Sequence, residues 1–385
     1  MENDIQHHKV TRERGMILVS CVMAFVILIN FYFSLSTVGE PSMYGRLANA
    51  IVAFFCFVYA GHSQSDKKNA SYLLSIIIGC WGISVFCGLV NGATSLLKPA
   101  LLFDMIFNVF FAYILITKQV CLFPIKIAYL IISAYLAYTL LFLGLETTEI
   151  FYGSSGSMIG TTLISIAIVI QYIDYRDNYK IPIIPSLITL FLCTFSYSRS
   201  SIICSLFFFI VVLFFSTRNL NNKFLRNIPF LIIVAGLVFL VIKNWDYLQM
   251  LDMYEKFERK GVDADGRDEI WEAYLSNLDM GAVLFGIPID KNHLINGLDN
   301  PHNIILRLHS QFGLFAFIVY YSILVAIVRL LKKNPFIALL ICVMVLRGMF
   351  DIAYFFGDFD YIFLALVFEK VLKREKIRNV KMSLI

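Results

Sequence analysis

Charge is scarce in this chain. Asp, Glu, Lys and Arg make up 15% of its 385 residues, against about 25% in a soluble domain. With a mean hydropathy of +0.76 the chain has too little polar surface for a water-soluble fold. It also lacks a cysteine framework. All eight Cys (Cys21, Cys56, Cys80, Cys87, Cys121, Cys193, Cys204 and Cys342) lie inside apolar stretches, so neither a disulfide scaffold nor a metal-ligand spacing can be read. They read as small buried hydrophobes. The first apolar run, Met16 to Ser36, is too long for a signal-peptide core and has no A-x-A-like exit, so it is expected to be a retained first span with no soluble domain before it. No internal repeat shows, and the two halves differ in loop length. The stretch Gly153 to Gly160 does not satisfy G-x-S-x-G, which excludes a serine-hydrolase elbow there.

What is present is apolar sequence in lengths that cross a bilayer. The thirty-six Phe and twenty Tyr suit lipid-facing and interfacial surfaces of a helical bundle rather than a cofactor box. A span needs about 20 apolar residues, fewer where neighbours pack closely. Twelve are expected: Met16 to Ser36, Arg46 to Ala60, Tyr72 to Val90, Leu96 to Thr117, Cys121 to Leu145, Gly156 to Ile173, Ile181 to Phe195, Ser200 to Phe215, Ile228 to Ile242, Phe312 to Val328, Pro335 to Phe355 and Tyr361 to Leu372. The fold class is therefore all-α, a polytopic membrane protein with a single transmembrane domain over 1–385.

Lys and Arg recur in alternate short loops: Lys9, Arg12 and Arg14; Lys67 and Lys68; Lys118; Arg176 and Lys180; Arg218, Lys223 and Arg226; Arg329, Lys332 and Lys333; and the tail from Lys370 to Lys381. Those loops and both termini are expected to be cytoplasmic. The long polar segment Lys243 to Gln311, between the ninth and tenth spans, is then external. Within it an apolar stripe of Ile270, Trp271, Tyr274, Leu275 and Leu278 predicts an amphipathic helix from about Asp268 to Asp279.

An ionisable group against hydrocarbon needs a partner or a purpose. Arg199 lies in the external turn Ser196-Tyr197-Ser198-Arg199-Ser200-Ser201, where a planar guanidinium with serine hydroxyls beside it suits a phosphate; the plainer reading is a snorkelling charge. Arg267 stands at the mouth of the amphipathic helix, with a surface ion pair to Asp268 or Glu269 as its alternative. The run Asp263-Ala264-Asp265-Gly266 looks metal-like but places its glycine too early for a calcium loop. His302 follows Asn300 and Pro301, which read as the N-cap and first residue of a helix. The positive end of that helix disfavours a second positive charge, which predicts a neutral imidazole able to accept a proton; a histidine filling a cap network is the alternative. His293 and His309 compete with it. Arg347, with Asp351 one turn on and Asp104 at similar depth in the fourth span, reads either as a buried ion pair or as a further cation lining a cavity. Gly156 and Gly160 form a small-xxx-small pair that lets helices approach.

Together these features resemble the bacterial O-antigen ligase and polymerase superfamily. The resemblance rests on Ser198-Arg199-Ser200, the large loop after the ninth span, Arg267 with Trp271 four residues later, Leu284-Phe285-Gly286, and His302-Asn303 with Gly313 eleven residues after the histidine. It implies a multi-pass protein of the bacterial inner membrane that uses glycans on undecaprenyl pyrophosphate as donor and acceptor at its periplasmic face, without metal or cofactor. It further implies Arg199, Arg267 and Arg347 on the pyrophosphate, His302 as general base, and Ser198, Asn303 and Trp271 in support. Membrane lipids and a chain-length regulator protein are the other expected partners, and no nucleic acid. Ligases of the family often have Thr or Tyr three residues after the glycine; Ala316 stands there, which favours a polymerase. A ligase or protein oligosaccharyltransferase of the same fold, or a lipid-glycan flippase, is the alternative.

Overall fold

The computed structural model describes residues 2–35, 43–60, 64–91, 99–151, 157–196, 198–218, 267–287, 302–351, 354, 357 and 359–369. Its elements are α1 (Glu2–Phe33), α2 (Met43–Ala60), α3 (Gln64–Val90), α4 (Pro99–Thr117), α5 (Leu122–Ala137), α6 (Thr147–Ile150), α7 (Ser157–Asn178), α8 (Ile183–Thr194), α9 (Arg199–Arg218), α10 (Arg267–Ser276), α11 (Met280–Phe285), α12 (Ile304–Phe312), α13 (Ala316–Lys333), α14 (Pro335–Phe350) and α15 (Asp360–Phe368). Among the described residues there is no strand beyond one isolated bridge, Leu35 to Phe151. Helices dominate for a physical reason: hydrocarbon offers no partner to a backbone amide, so each span must close its own hydrogen bonds.

Seven helical stretches are long and apolar enough to cross a membrane, and 101–117, 183–194 and 335–350 are shorter apolar helices. Every expected span except the ninth overlaps a helix. The ninth, Ile228 to Ile242, lies outside the described residues, as does most of Lys243 to Gln311.

The bundle is built around α7. Of its apolar window 94% is buried, against 22% for α2 and α3, so α7 is the axis and the latter two lie at the periphery. It packs against α5, α8, α9, α14 and α15. Because lipid tails are as apolar as leucine, such packing depends on close backbone approach and on polar contacts between helices. Gly160 supplies the first: a Cβ there would collide with the Ser201 side chain on α9. The expectation for Gly160 holds, and Gly156 lies outside the described residues. Buried polar side chains supply the second. Ser165 Oγ lies 3.1 Å from Tyr354 Oη, and Tyr129 Oη donates to the Pro185 carbonyl at 2.7 Å. The eight cysteines are all free. Phe54, Phe55, Ile78, Ile318 and Tyr321 are exposed, a surface that would aggregate in water and suits acyl chains.

Two sequence expectations change in the segment that precedes α13. The expected amphipathic helix is α10, which ends at Ser276, short of Asp279; Asp279 instead caps a further short helix, α11, by accepting from the Ala282 amide. Of the apolar stripe, Ile270 and Tyr274 are buried and Leu275 is exposed. The helix after His302 begins later than expected. Its N-cap is Asn303, whose Oδ1 accepts from the Ile305 amide at 2.8 Å, rather than Asn300 with Pro301 at the first helical position. An asparagine oxygen placed to satisfy an orphan amide decides a helix start more firmly than the proline signal does.

Between α12 and α13 a 3₁₀ turn, Gly313–Phe315, bends the chain. Gly313 and Gly286 both have positive φ, at 52° and 80°, and they lock together. A Cβ on Gly313 would run into the Leu284 carbonyl, and one on Gly286 into the carbonyls of His309 and Ser310. Asn91 of the α3 terminus closes the joint by donating to the carbonyls of Phe285 and Gly286, both at 2.9 Å. Gly313→Ala forces a side chain into the left-handed region, about 1–2 kcal/mol of strain by itself, plus the Leu284 collision. The variant is expected to melt in detergent at least a few degrees below wild type, and an unchanged melting temperature would show that α11 does not pack as described.

Candidate functional site

A guanidinium inside a helical bundle needs compensation, and here it organises the site. Arg347 lies in the last turn of α14 and has 0% of its surface exposed. Its Nη2 donates to the Ser157 carbonyl at 2.7 Å and lies 3.6 Å from Asp351 Oδ2. Asp351 follows directly on α14 as its C-cap. The Ser157 hydroxyl, at the start of α7, donates to the same Oδ2. The other carboxylate oxygen, Oδ1, lies 3.4 Å from His302 Nδ1, an ion-pair distance that is longer than a hydrogen bond. Asp351 thus stands between a buried cation and a half-exposed imidazole.

Helix packing brings His302 there. Gly348 lies one residue past Arg347, and a Cβ on it would come within 2.7 Å of the Ile304 side chain. The missing side chain lets the start of α12 rest on α14, which sets His302 opposite Asp351. His302 itself has φ 48°, an uncommon conformation for a side-chain-bearing residue. It precedes the α12 cap instead of lying inside the helix.

The serine turn joins this network through Ser157. Ser201 Oγ donates to the Ser157 carbonyl at 3.4 Å and to Ser198 Oγ at 3.0 Å, and Ser198 Oγ is 3.2 Å from Ser200 Oγ. Arg199 opens α9 between those serines and is partly buried. The structure therefore links His302, Arg347 and the Ser198 to Ser201 turn through Ser157 and Asp351. Arg347 is fully enclosed behind Asp351 and presents no surface in this arrangement, which fits the buried ion-pair reading. Asp104, expected at similar depth, pairs instead with Arg46 at 2.6 Å.

Arg267 is the first residue of α10 and Trp271 lies one turn on, partly buried; the Arg267 side chain lies outside the described residues. Asn303 is buried and serves as the α12 cap. His293 is likewise outside the described residues, but His309 is settled by its contacts. Its Nε2 lies 3.3 Å from the Val283 carbonyl, which can only accept, so Nε2 donates; Nδ1, 2.7 Å from Tyr274 Oη, must then accept. Burial pushes the Tyr274 phenol above its usual value, which keeps it a donor. Both ring nitrogens of His309 are engaged in docking α10 and α11 onto α12. Asp351 and Ser157 are the functional residues that sequence reasoning passed over as site members. Asp351 was visible as the Arg347 partner one turn on, and Ser157 carried no signal. Among the described residues no three of His, Cys, Asp and Glu cluster to hold a metal ion.

Residues 184–321 match the family described as O-antigen ligase. The matched stretch contains Ser198, Arg199, Arg267, Trp271, His302, Asn303 and Gly313, and ends before Arg347 and Asp351. This similarity agrees with the resemblance read from the sequence. No curated protein and no solved structure matches the chain.

Because Arg347 is fully enclosed, Asp351→Ala strands its charge, a loss of about 3–5 kcal/mol for a buried pair broken on one side. Removing both charges together, as Arg347→Met with Asp351→Ala, is expected to recover much of that loss in melting temperature. A double variant no more stable than Asp351→Ala alone would show that the two groups are not coupled.

Proposed function

We propose that this chain, as a glycosyl-transferring enzyme of the O-antigen ligase and polymerase superfamily, polymerises oligosaccharide repeat units carried on undecaprenyl pyrophosphate at the periplasmic face of the inner membrane. The observation that carries the chemistry is the contact between His302 and Asp351. A carboxylate facing Nδ1 favours a proton on that nitrogen and makes Nε2 the basic one, and it stabilises the imidazolium once Nε2 has taken a proton.

In the proposed step, the acceptor sugar hydroxyl gives its proton to His302 Nε2 as its oxygen attacks the anomeric carbon of the donor. The bond from that carbon to the phosphate oxygen breaks, its electron pair leaves with undecaprenyl pyrophosphate, and the configuration inverts. Negative charge grows on the leaving group, so cations near it favour the transition state over the ground state. Arg199 with the hydroxyls of Ser198 and Ser200 provides one such position, and Arg267 a second. Arg347 acts one step back, by holding Asp351 and Ser157 in place. Trp271 and Asn303 act as supports. The residues invoked need no metal or cofactor.

A ligase reading is favoured by the description of the matched family, and a polymerase reading by Ala316 at the position where family ligases often have Thr or Tyr. Incubating purified protein with a lipid-linked repeat unit separates the two. A ladder of longer glycans supports polymerisation, and transfer only to lipid A core supports ligation. His302→Ala is expected to slow formation of product about 10²-fold to 10⁴-fold at normal expression. Product of wild-type length and rate in that variant would remove the histidine from the mechanism.

A further inference from the structure

At the end of α7 remote from His302 the helices leave an open cleft of about 570 Å³. Lys126 of α5, Asp174 and Asn178 of α7, and Tyr179, Lys180 and Pro182 of the connection to α8 line it. From Ser157 to Asn178 α7 has 22 residues, about 33 Å at the usual helical rise, which matches a hydrocarbon core of about 30 Å. The His302 site, beside Ser157, and this cleft therefore belong to opposite faces of the membrane.

The walls are held from several elements. Gln171 of α7 donates to the Pro182 carbonyl, and Ser216 of α9 to the Ile181 carbonyl at 2.7 Å. Tyr179, at φ 54°, turns the chain so that the Lys180 amide donates back to the Asp174 carbonyl at 3.3 Å. A backbone tied in this way keeps Lys180 beside the cleft. From there α5 and α8 run side by side, joined by Tyr129 to Pro185 and Thr189. Ile127 and Leu130 on α5, and Ile184, Leu187 and Phe191 on α8, are exposed, each set on one face of its helix. Apolar surface thus leads away from the cleft along both helices.

The charges decide the ligand. Lys126 Nζ lies 2.9 Å from Asp174 Oδ2, and Asn178 Nδ2 donates to Oδ1 at 3.0 Å, so both oxygens of the lining carboxylate are engaged from within. Lys126 keeps 42% of its side-chain exposure in that pair. Lys180 is exposed and closes no ion pair with a described residue. Arg176 and Asp177, next along α7, close on each other at 2.8 and 2.7 Å. Among the described residues the lining groups therefore leave one positive charge, two lysines against one aspartate. A phosphate gains from that balance, whereas a headgroup whose own ammonium cancels its phosphate does not. A free phosphate would use the lysines alone. A phospholipid uses the lysines with its headgroup and the apolar faces of α5 and α8 with its acyl chains, and Tyr179, 75% exposed, stands where aromatic rings settle among headgroups.

We infer that this cleft binds the headgroup of an anionic phospholipid in the leaflet opposite the His302 site, with Lys126 and Lys180 on its phosphate. The inference uses none of the residues of the glycosyl-transfer step and does not depend on that reading.

The test titrates the full-length protein in a neutral detergent with phosphatidylglycerol, phosphatidylcholine and inorganic phosphate in turn, and measures bound ligand by native mass spectrometry. Wild type is expected to bind phosphatidylglycerol more tightly than phosphatidylcholine. Lys180→Gln is expected to weaken phosphatidylglycerol about fivefold, the worth of one lysine near an anionic headgroup, and to leave phosphatidylcholine unchanged. Asp174→Asn keeps the shape and the Asn178 hydrogen bond while removing a negative charge. It is expected to tighten phosphatidylglycerol by about the same factor, a gain that a folding defect would not produce. Equal binding of the two lipids by wild type, or a phosphatidylglycerol affinity that neither substitution moves, overturns the inference. Inorganic phosphate bound as tightly as phosphatidylglycerol assigns the cleft to a soluble anion and overturns it as well.

Discussion

Arg347 carries a permanent charge on a side chain with no exposed surface, and the rest of the site follows from how that charge is tolerated. In an interior of low dielectric an isolated cation is expensive enough that the surroundings must supply an anion and acceptors within contact distance. Asp351, at the end of α14, and the Ser157 carbonyl, at the start of α7, do so. The need to compensate one guanidinium thus ties the start of α7 to the end of α14. Apolar contacts between helices are little better than contacts with lipid.

The same carboxylate then has a second use. One oxygen of Asp351 answers to Arg347 and Ser157, and the other faces His302. A group retained to balance a buried charge is rigid, and a rigid carboxylate is a good orienter for an imidazole. His302 complements it by standing before the helix cap at φ 48°, a conformation that costs of order 1–3 kcal/mol and persists only where the surroundings impose it. Asn303 as cap and Gly348 under Ile304 impose it here. His309, inside α12, shows the alternative fate of a histidine in the same segment: with both nitrogens engaged it joins helices.

The sequence announces the spans because a bilayer demands long apolar runs, and eleven of the twelve expected runs overlap helices among the described residues. It announces Arg199, Arg347 and His302 because charge is rare enough in this chain for each instance to stand out. It is silent on Ser157, whose hydroxyl meets Asp351 across 194 positions of sequence, since serine is common in helices and no local spacing predicts such a partner. It misplaces the start of α12 for a related reason. Asn300 with Pro301 and Asn303 each offer a plausible cap, and the contact of Ile304 with Gly348 on a distant helix selects the later one. Local propensity proposes a boundary and tertiary packing chooses among the proposals.

The distribution of cations follows the same economy. Arg347 is neutralised and enclosed; Arg46 is paired with Asp104; Arg199 stands in a turn whose neighbours offer hydroxyls. Two of these three cations thus face a carboxylate, and the third lies among serine hydroxyls, a contrast of environment that residue type alone does not reveal.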